Sequence, residues 1–193
     1  VYSVIPNMGG KSGLTGQLEI YANGHLDALN SKNRGNLVGY GTAPEGLENN
    51  EVIYELICDA GWHTDSIDVS EWLRNYSLCR YGKVTNEVMS FWEGMQASVY
   101  GSFTDHPRYN WQFRPGTVRQ GTINANEAFY QGIDALAQAI PEMKHSPLFK
   151  IDMIEMTVHY LGGKIEHLTQ AIEQAYKDGN TKKAVALEGE FEA

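Results

Sequence analysis

The chain has 193 residues, of which 42% are hydrophobic, so it can bury a sizeable core and is not a disordered protein. Its 24 acidic and 15 basic residues give a formal charge of −9, which argues against nucleic acid as a partner, because nucleic acid backbones bind through cations. No apolar run reaches the roughly 20 residues that a membrane-spanning helix needs, so no membrane span is expected.

The N-terminal third of the chain predicts two consecutive strand-loop-helix units. Residues 1–5 are typical of a strand, and apolar residues recur at helical spacing from Leu14 to about Leu29. A second short buried strand is predicted at residues 36–41, and residues 51–58 have the apolar spacing of a second helix. Two such units are typical of the closing part of a parallel barrel or sheet.

From residue 63 onwards the pattern is helical. Helices are predicted where a capping side chain, a glycine or a proline marks an end, at residues 68–82, 85–101, 127–140, 147–177 and 182–191. The longest of these carries apolar residues at spacings of three and four: Leu148, Ile151, Ile154, Val158, Leu161, Ile165, Leu168, Ile172 and Tyr176. We interpret this stripe as a face that packs into the core.

The cysteines and histidines do not have the spacing of a metal site. Cys58 and Cys79 lie within helical apolar stripes, which indicates buried free thiols or one disulfide. His159 and His167 are eight residues apart on the longest predicted helix, so they do not form the i, i+4 pair of a helical zinc site. We expect no metal and no cofactor.

Glu45 is the strongest catalytic candidate. It lies between the second predicted strand and the helix that Asn49 or Asn50 would cap, and Gly46 lets the chain turn directly after it. In barrels of βα units, side chains after the carboxyl ends of strands line the active site. A helix N-terminus close by favours an ionised carboxylate, which suits a nucleophile. The alternative is a solvated loop glutamate.

Two further loops offer polar and aromatic groups. Residues 7–13 are rich in glycine but lack the spacing of a Walker motif. They are either a weak phosphate loop or a loop that lets the backbone and Asn7 approach a polar ligand such as a sugar. In residues 106–115, Trp111 either stacks on a sugar ring or pins the loop to the helices. Arg114, if buried, needs a ligand or a carboxylate partner.

Several motifs together resemble the α-N-acetylglucosaminidases of glycoside hydrolase family 89. They are Asn7-Met8-Gly9-Gly10, Gly41-Thr42-Ala43-Pro44-Glu45-Gly46, Asn50-Glu51-Val52-Ile53-Tyr54, Gly61-Trp62, Arg80-Tyr81-Gly82 and Arg114-Pro115. The resemblance implies a retaining, exo-acting hydrolase that removes terminal α-linked N-acetylglucosamine from glycosaminoglycan or mucin-type glycans. The reaction would be a double displacement that uses two carboxyl groups.

The same resemblance implies a fold and a location. The fold is α+β and mostly helical, with the last βα units of a (β/α)8-type catalytic barrel in residues 1–62 and an all-helical C-terminal domain, incomplete at its end, in residues 63–193. The partner of these units would be the remainder of the same barrel. That part would carry the acid/base carboxyl group, so we expect the chain alone to be inactive. The implied location is secreted, periplasmic or lysosomal.

Residue by residue, the resemblance assigns Glu45 as the catalytic nucleophile. The residues expected to bind substrate are Asn7, Gly10, Tyr40, Asn50, Trp111 and Arg114. The competing interpretation is a non-catalytic helical module that binds a partner, with the βα units as its scaffold.

Overall fold

A computed structural model describes residues 1–6, 14–44, 51–103 and 125–192. The strands of these residues are β1 (Tyr2–Val4), β2 (Gly16–Gln17), β3 (Tyr40–Thr42) and β4 (Gly101–Ser102). The helices are α1 (Leu18–Asn30), α2 (Glu51–Ala60), α3 (Val69–Tyr81), α4 (Asn86–Gln96), α5 (Glu127–Gln138), α6 (Ile140–Met143), α7 (Pro147–Lys177) and α8 (Thr181–Glu192). The mostly helical α+β fold is therefore as predicted.

Strands β1 and β3 form a parallel pair, joined through helix α1 and followed by helix α2. Tyr2 lies opposite Tyr40, and Val4 lies opposite Thr42. Beyond the strands the pairing continues, because the backbone N–H of Ala43 donates to the Val4 carbonyl at 3.0 Å. The two predicted βα units are thus present, and the carboxyl ends of their strands are neighbours.

Helix α1 and strand β3 both begin later in the sequence than predicted. Leu14 precedes the helix, because the chain first forms β2 and pairs it antiparallel with β4. Gly16 in β2 has φ of 152°, and a Cβ there would lie 2.8 Å from the ring of Tyr21. Val38, placed in a buried strand by the sequence, is 90% exposed and lies before β3. Strands of two or three residues are too short to show an alternating pattern.

Helices α3 and α4 end and begin where their local chemistry predicts. The Asp68 carboxylate accepts a hydrogen bond from the backbone N–H of Glu71 at 3.0 Å, and Gly82 closes α3 in the left-handed conformation at φ 79°. The Thr85 hydroxyl accepts the backbone N–H of Val88 at 3.3 Å and so begins α4.

Helix α7 has the predicted bounds, but the predicted core stripe is wrong for most of its length. Six of its members are exposed: Leu148, Ile151, Ile154, Val158, Leu161 and Tyr176. The buried face lies about one residue further round the helix and carries Phe149, Asp152, Met156, His159, Gly163 and Glu166. On both faces of α7 the residues recur every three or four positions, so the spacing alone does not distinguish the faces. Contacts with other helices decide which face is buried.

The cysteines also differ from the prediction, since Cys58 and Cys79 are free and exposed. The buried positions beside them belong to Leu56 and Ile57 in α2 and to Tyr76 in α3. Among the described helices, none is both long enough and apolar enough to cross a lipid bilayer.

Candidate active site

The neighbouring carboxyl ends of β1 and β3 lead into the two N-terminal segments that the sequence singled out. Asn7 is the third residue after Val4, and Glu45 is the third residue after Thr42. Because Val4 and Thr42 are paired, the chain leaves β1 and β3 at the same end of the sheet. The predicted site residues that lie outside the described part of the chain are Glu45, Asn7, Gly10, Asn50, Trp111 and Arg114. Their roles stay predictions.

Tyr40, by contrast, is described, and it lies at the amino end of β3, away from the edge that leads to Glu45. Its ring stacks on Tyr2 with 5.8 Å between centroids and meets the edge of His25 at 5.3 Å. A Cβ at Gly61 would lie 2.7 Å from the same ring. Tyr40 thus packs α1 and the end of α2 against the sheet. This position is at the opposite end of the strand from Glu45, and the substrate contact expected of Tyr40 stays a prediction.

The surroundings of Tyr40 are those of the packed end of a barrel. Burial is the main reason that the pKa of its hydroxyl is raised to about 12. The Nε2 atom of His25 lies 3.1 Å from the carbonyl oxygen of His63. A cavity of about 320 Å³ is lined by these side chains and by Trp62, which is 88% exposed. Residues at the amino ends of barrel strands serve stability, whereas the opposite face serves catalysis.

A partly buried cluster of polar side chains lies beside the start of α2, directly after the segment that carries Glu45. We call it the Arg80 cluster, and its members are Glu51, Arg80, Tyr81, Asp152 and Glu155. Arg80 in α3 donates two hydrogen bonds of 2.7 Å to the carboxylate of Asp152 in α7. The hydroxyl of Tyr81 donates to the same carboxylate at 2.8 Å. The Nη2 atom of Arg80 also lies 3.4 Å from Oε2 of Glu51, the first residue of α2.

Three carboxyl groups of the Arg80 cluster lie close together near the guanidinium of Arg80. One oxygen from each of Glu51, Asp152 and Glu155 lies within 4.8 Å of the others. Burial, together with repulsion from Glu51 and Asp152, raises the pKa of Glu155 to about 7, although Arg80 opposes the shift. The hydrogen bonds to Asp152 raise the pKa of Arg80 above its usual value, so the guanidinium stays charged. Arg80 already engages both oxygens of Asp152, and the cluster is an ion-pair network.

Sequence reasoning did not assign Asp152 or Glu155 any role. A signal was present, because Asp152, Glu155 and His159 recur at spacings of three and four along α7, and Arg80 belongs to a motif shared with family 89. The apolar stripe next to them, at Ile151 and Ile154, outweighed it.

Two family models match the chain. The model of the α-N-acetylglucosaminidase (NAGLU) TIM-barrel domain matches residues 1–64, and the model of the α-N-acetylglucosaminidase C-terminal domain matches residues 72–193. The second match alone covers more than half of the chain. The chain belongs to the α-N-acetylglucosaminidase family. The predicted resemblance is confirmed, as is a fold in which barrel units precede a helical domain.

Two relatives of the chain, one human and one bacterial, are considerably longer. The human α-N-acetylglucosaminidase is 29% identical over 163 residues, which are 81% of this chain and 22% of the human protein. The family 89 glycoside hydrolase from Clostridium perfringens, solved with 2-acetamido-1,2-dideoxynojirmycin, superimposes with a TM-score of 0.86 at 26% identity, covering 98% of this chain and 23% of that chain. The chain therefore spans less than a quarter of the length of these relatives.

A further structure of the Clostridium perfringens enzyme contains two glutamate-to-glutamine changes and its substrate, GlcNAc-α-1,4-galactose. It superimposes with a TM-score of 0.82 over 98% of this chain and 23% of that chain. At 24% identity it shows likeness of fold.

Proposed function

We propose that the protein is a retaining, exo-acting glycoside hydrolase that removes terminal α-linked N-acetylglucosamine, with Glu45 as its nucleophile. The observation that carries the proposal is the pairing of β1 with β3 inside the region that matches the barrel domain. The segment with Glu45 follows the carboxyl end of β3, and that end of a barrel strand is where barrel enzymes carry catalytic residues. The Clostridium enzyme solved with GlcNAc-α-1,4-galactose carries two glutamate-to-glutamine changes, and the proposed chemistry also uses two carboxyl groups.

In the proposed reaction the Glu45 carboxylate attacks the anomeric carbon, and the bond to the leaving oxygen breaks. A second carboxylic acid, ~5 Å away, protonates that oxygen, and its carboxylate then takes a proton from the water that releases the sugar. We propose that this second group comes from a part of the barrel outside these 193 residues. Glu51, the nearest described glutamate in sequence, is engaged by Arg80 instead.

The proposed substrate contacts are the remaining residues of the resemblance: Asn7, Gly10, Asn50, Trp111 and Arg114. Asn7 follows the strand adjacent to that of Glu45, which suits a hydroxyl contact on the same sugar. The proposed substrates are glycosaminoglycan or mucin-type glycans, and the proposed location is secreted, periplasmic or lysosomal. The division into barrel units (1–62) and helical domain (63–193) is part of the same proposal.

Turnover of an aryl α-N-acetylglucosaminide by the protein made from its complete coding sequence tests the proposal. Glu45→Gln should lower kcat by on the order of 10³-fold or more, because the change removes the nucleophile while keeping its size. Glu48→Gln, which alters a carboxylate of the same segment, is the matched control and should retain most of the activity.

Near-normal turnover by Glu45→Gln would remove this residue from the mechanism. A complete protein that turns over no α-N-acetylglucosaminide at all would instead favour the non-catalytic binding module.

A further inference from the structure

We infer that Arg80 is a positioning residue for the proposed active site, because it holds Glu51 and thereby orients the start of α2, which follows Glu45 closely in sequence. The inference deepens the proposed function and rests on its assignment of Glu45. Glu45 and Glu51 are six residues apart, so a change in the first turn of α2 reaches the nucleophile through a short length of chain.

Arg80 is suited to this role because its own position is tightly restrained. Its side chain is 11% exposed and that of Asp152 is 12% exposed, and the two form a bidentate pair. Paired hydrogen bonds between a guanidinium and a carboxylate restrict both groups in distance and in angle. The hydroxyl of Tyr81 holds the same carboxylate from a third direction. The guanidinium is therefore a rigid point from which a third group can be held.

That third group is Glu51, and it belongs to a helix that is attached to α3 near both of its ends. Near the carboxyl end of α2, Asp59 accepts a hydrogen bond of 2.7 Å from the indole N–H of Trp72 in α3. At the amino end, Glu51 lies 3.4 Å from Nη2 of Arg80. Apolar burial in the middle of α2 determines which face is inside, while these two polar contacts link α2 to α3 near both of its ends.

The expected signature is a loss in turnover without a comparable loss in stability. The side chain of Glu51 is 56% exposed, and ion pairs at such positions contribute little to folding. Catalytic geometry is far more sensitive, since a displacement of about 1 Å at a reacting group can lower the rate by ~10²-fold. Substrate binding depends on many other contacts, so KM should change less than kcat.

The experiment compares Glu51→Gln with wild type in the protein made from its complete coding sequence, using an aryl α-N-acetylglucosaminide. We expect kcat to fall about five- to tenfold and KM to stay within about twofold, with Tm close to that of wild type. The matched control is Glu71→Gln, which removes an exposed first-turn carboxylate of α3 that lies 3.9 Å from Arg74, and it should leave kcat unchanged.

A second variant, Arg80→Lys, retains the positive charge but loses the planar guanidinium that donates paired hydrogen bonds. It should lower kcat at least as much as Glu51→Gln does. The kcat of the double variant should be no lower than that of Arg80→Lys alone, because both changes break the same contact between residues 80 and 51. A wild-type kcat in Glu51→Gln, multiplicative losses in the double variant, or a fall in Tm in Glu51→Gln as large as that in Arg80→Lys would each overturn the inference.

The two proposals can fail separately in this experiment. If Glu45→Gln remains active, the assignment of the nucleophile fails and the positioning role fails with it. If Glu45→Gln is inactive while Glu51→Gln turns over like wild type, only the positioning role is overturned.

Discussion

The two faces of helix α7 depart from the common arrangement of apolar residues inside and polar residues outside. On the buried face, Asp152 and His159 are each 8% exposed and Glu166 is 5% exposed. On the neighbouring face, Ile154 is 68% exposed and Val158 is 61% exposed. Apolar content alone therefore does not decide which side of a long helix packs against its neighbours.

The polar groups of the buried face have partners on α3 and on α7 itself. Arg80 and Tyr81 in α3 bind Asp152, and the side-chain amide of Gln170, four residues further along α7, donates to Glu166 at 2.8 Å. Gly163 allows the hydroxyl of Tyr130 to approach so closely that a Cβ there would lie 2.5 Å away. Buried polar groups are tolerated where partners compensate for the lost water, as Arg80 and Tyr81 do for Asp152.

The largest effect on stability should come from removing the carboxylate of Asp152, through which the buried face of α7 binds Arg80. Asp152→Ala leaves the guanidinium of Arg80 largely buried without its bidentate partner, which should lower the free energy of unfolding by about 3 kcal/mol or more. Chemical denaturation of the helical domain measures the loss. Asp134→Ala, on an exposed position of α5, is the control and should change little. A loss below ~1 kcal/mol for Asp152→Ala would mean that apolar packing alone selects this face.

A smaller effect should appear as a pH dependence due to His159. Burial lowers the pKa of its imidazole to about 4 from an ordinary value of 6.5. The folded state thus favours the neutral ring, and its contribution is complete above pH 6.5 and is lost as the pH falls towards 4. The loss is at most ~3 kcal/mol, at 1.36 kcal/mol for each pKa unit.

His159→Leu should remove that part of the acid sensitivity, which is measured as the difference in unfolding free energy between about pH 7.5 and pH 4.5. Glu155 acts in the opposite direction, because its raised pKa favours folding at low pH and its contribution is lost as the pH rises through about 7. The difference between variant and wild type therefore isolates His159. The exposed His145, changed to Gln, is the control. An unchanged difference between the two pH values would contradict a neutral buried imidazole.

The smallest effect is expected on the apolar face. Ile154→Gln should change the free energy of unfolding by less than ~0.5 kcal/mol, because the side chain is already largely in solvent. The same change at Met156, which is 3% exposed on the packed face, should cost ~2 kcal/mol or more. If Ile154→Gln costs more than ~1 kcal/mol in the complete protein, another part of the protein or a second copy covers this face.

Much of the secondary structure was predictable because its causes are local. The caps at Asp68 and Thr85, the left-handed Gly82 and the bounds of α7 all depend on residues within one or two turns of each other. The pair β2 and β4 was not predictable, since strands of two residues show no periodicity and their partners lie 84 to 86 positions apart.

The candidate site was predictable only in part. The position of Glu45 after a strand and before a helix can be read from the chain, and the family gave it a role. The Arg80 cluster was missed, because Arg80 and Asp152 are 72 residues apart and no local pattern links them. Tyr40 is predicted to contact substrate, and only the structure shows that it lies at the amino end of β3, opposite to the end that leads to Glu45.

The amino-acid sequence by itself determined where most helices begin and end and the order of barrel units and helical domain, and it predicted a nucleophile at Glu45. These features follow from side chains acting on their own turn or loop. Only the tertiary structure decided which face of α7 is buried, which end of β3 carries Tyr40, and that Arg80 links α3 and α7 to the start of α2. The physical reason is that the free energy of burying a polar side chain depends on its partner, and here the partners come from distant parts of the chain.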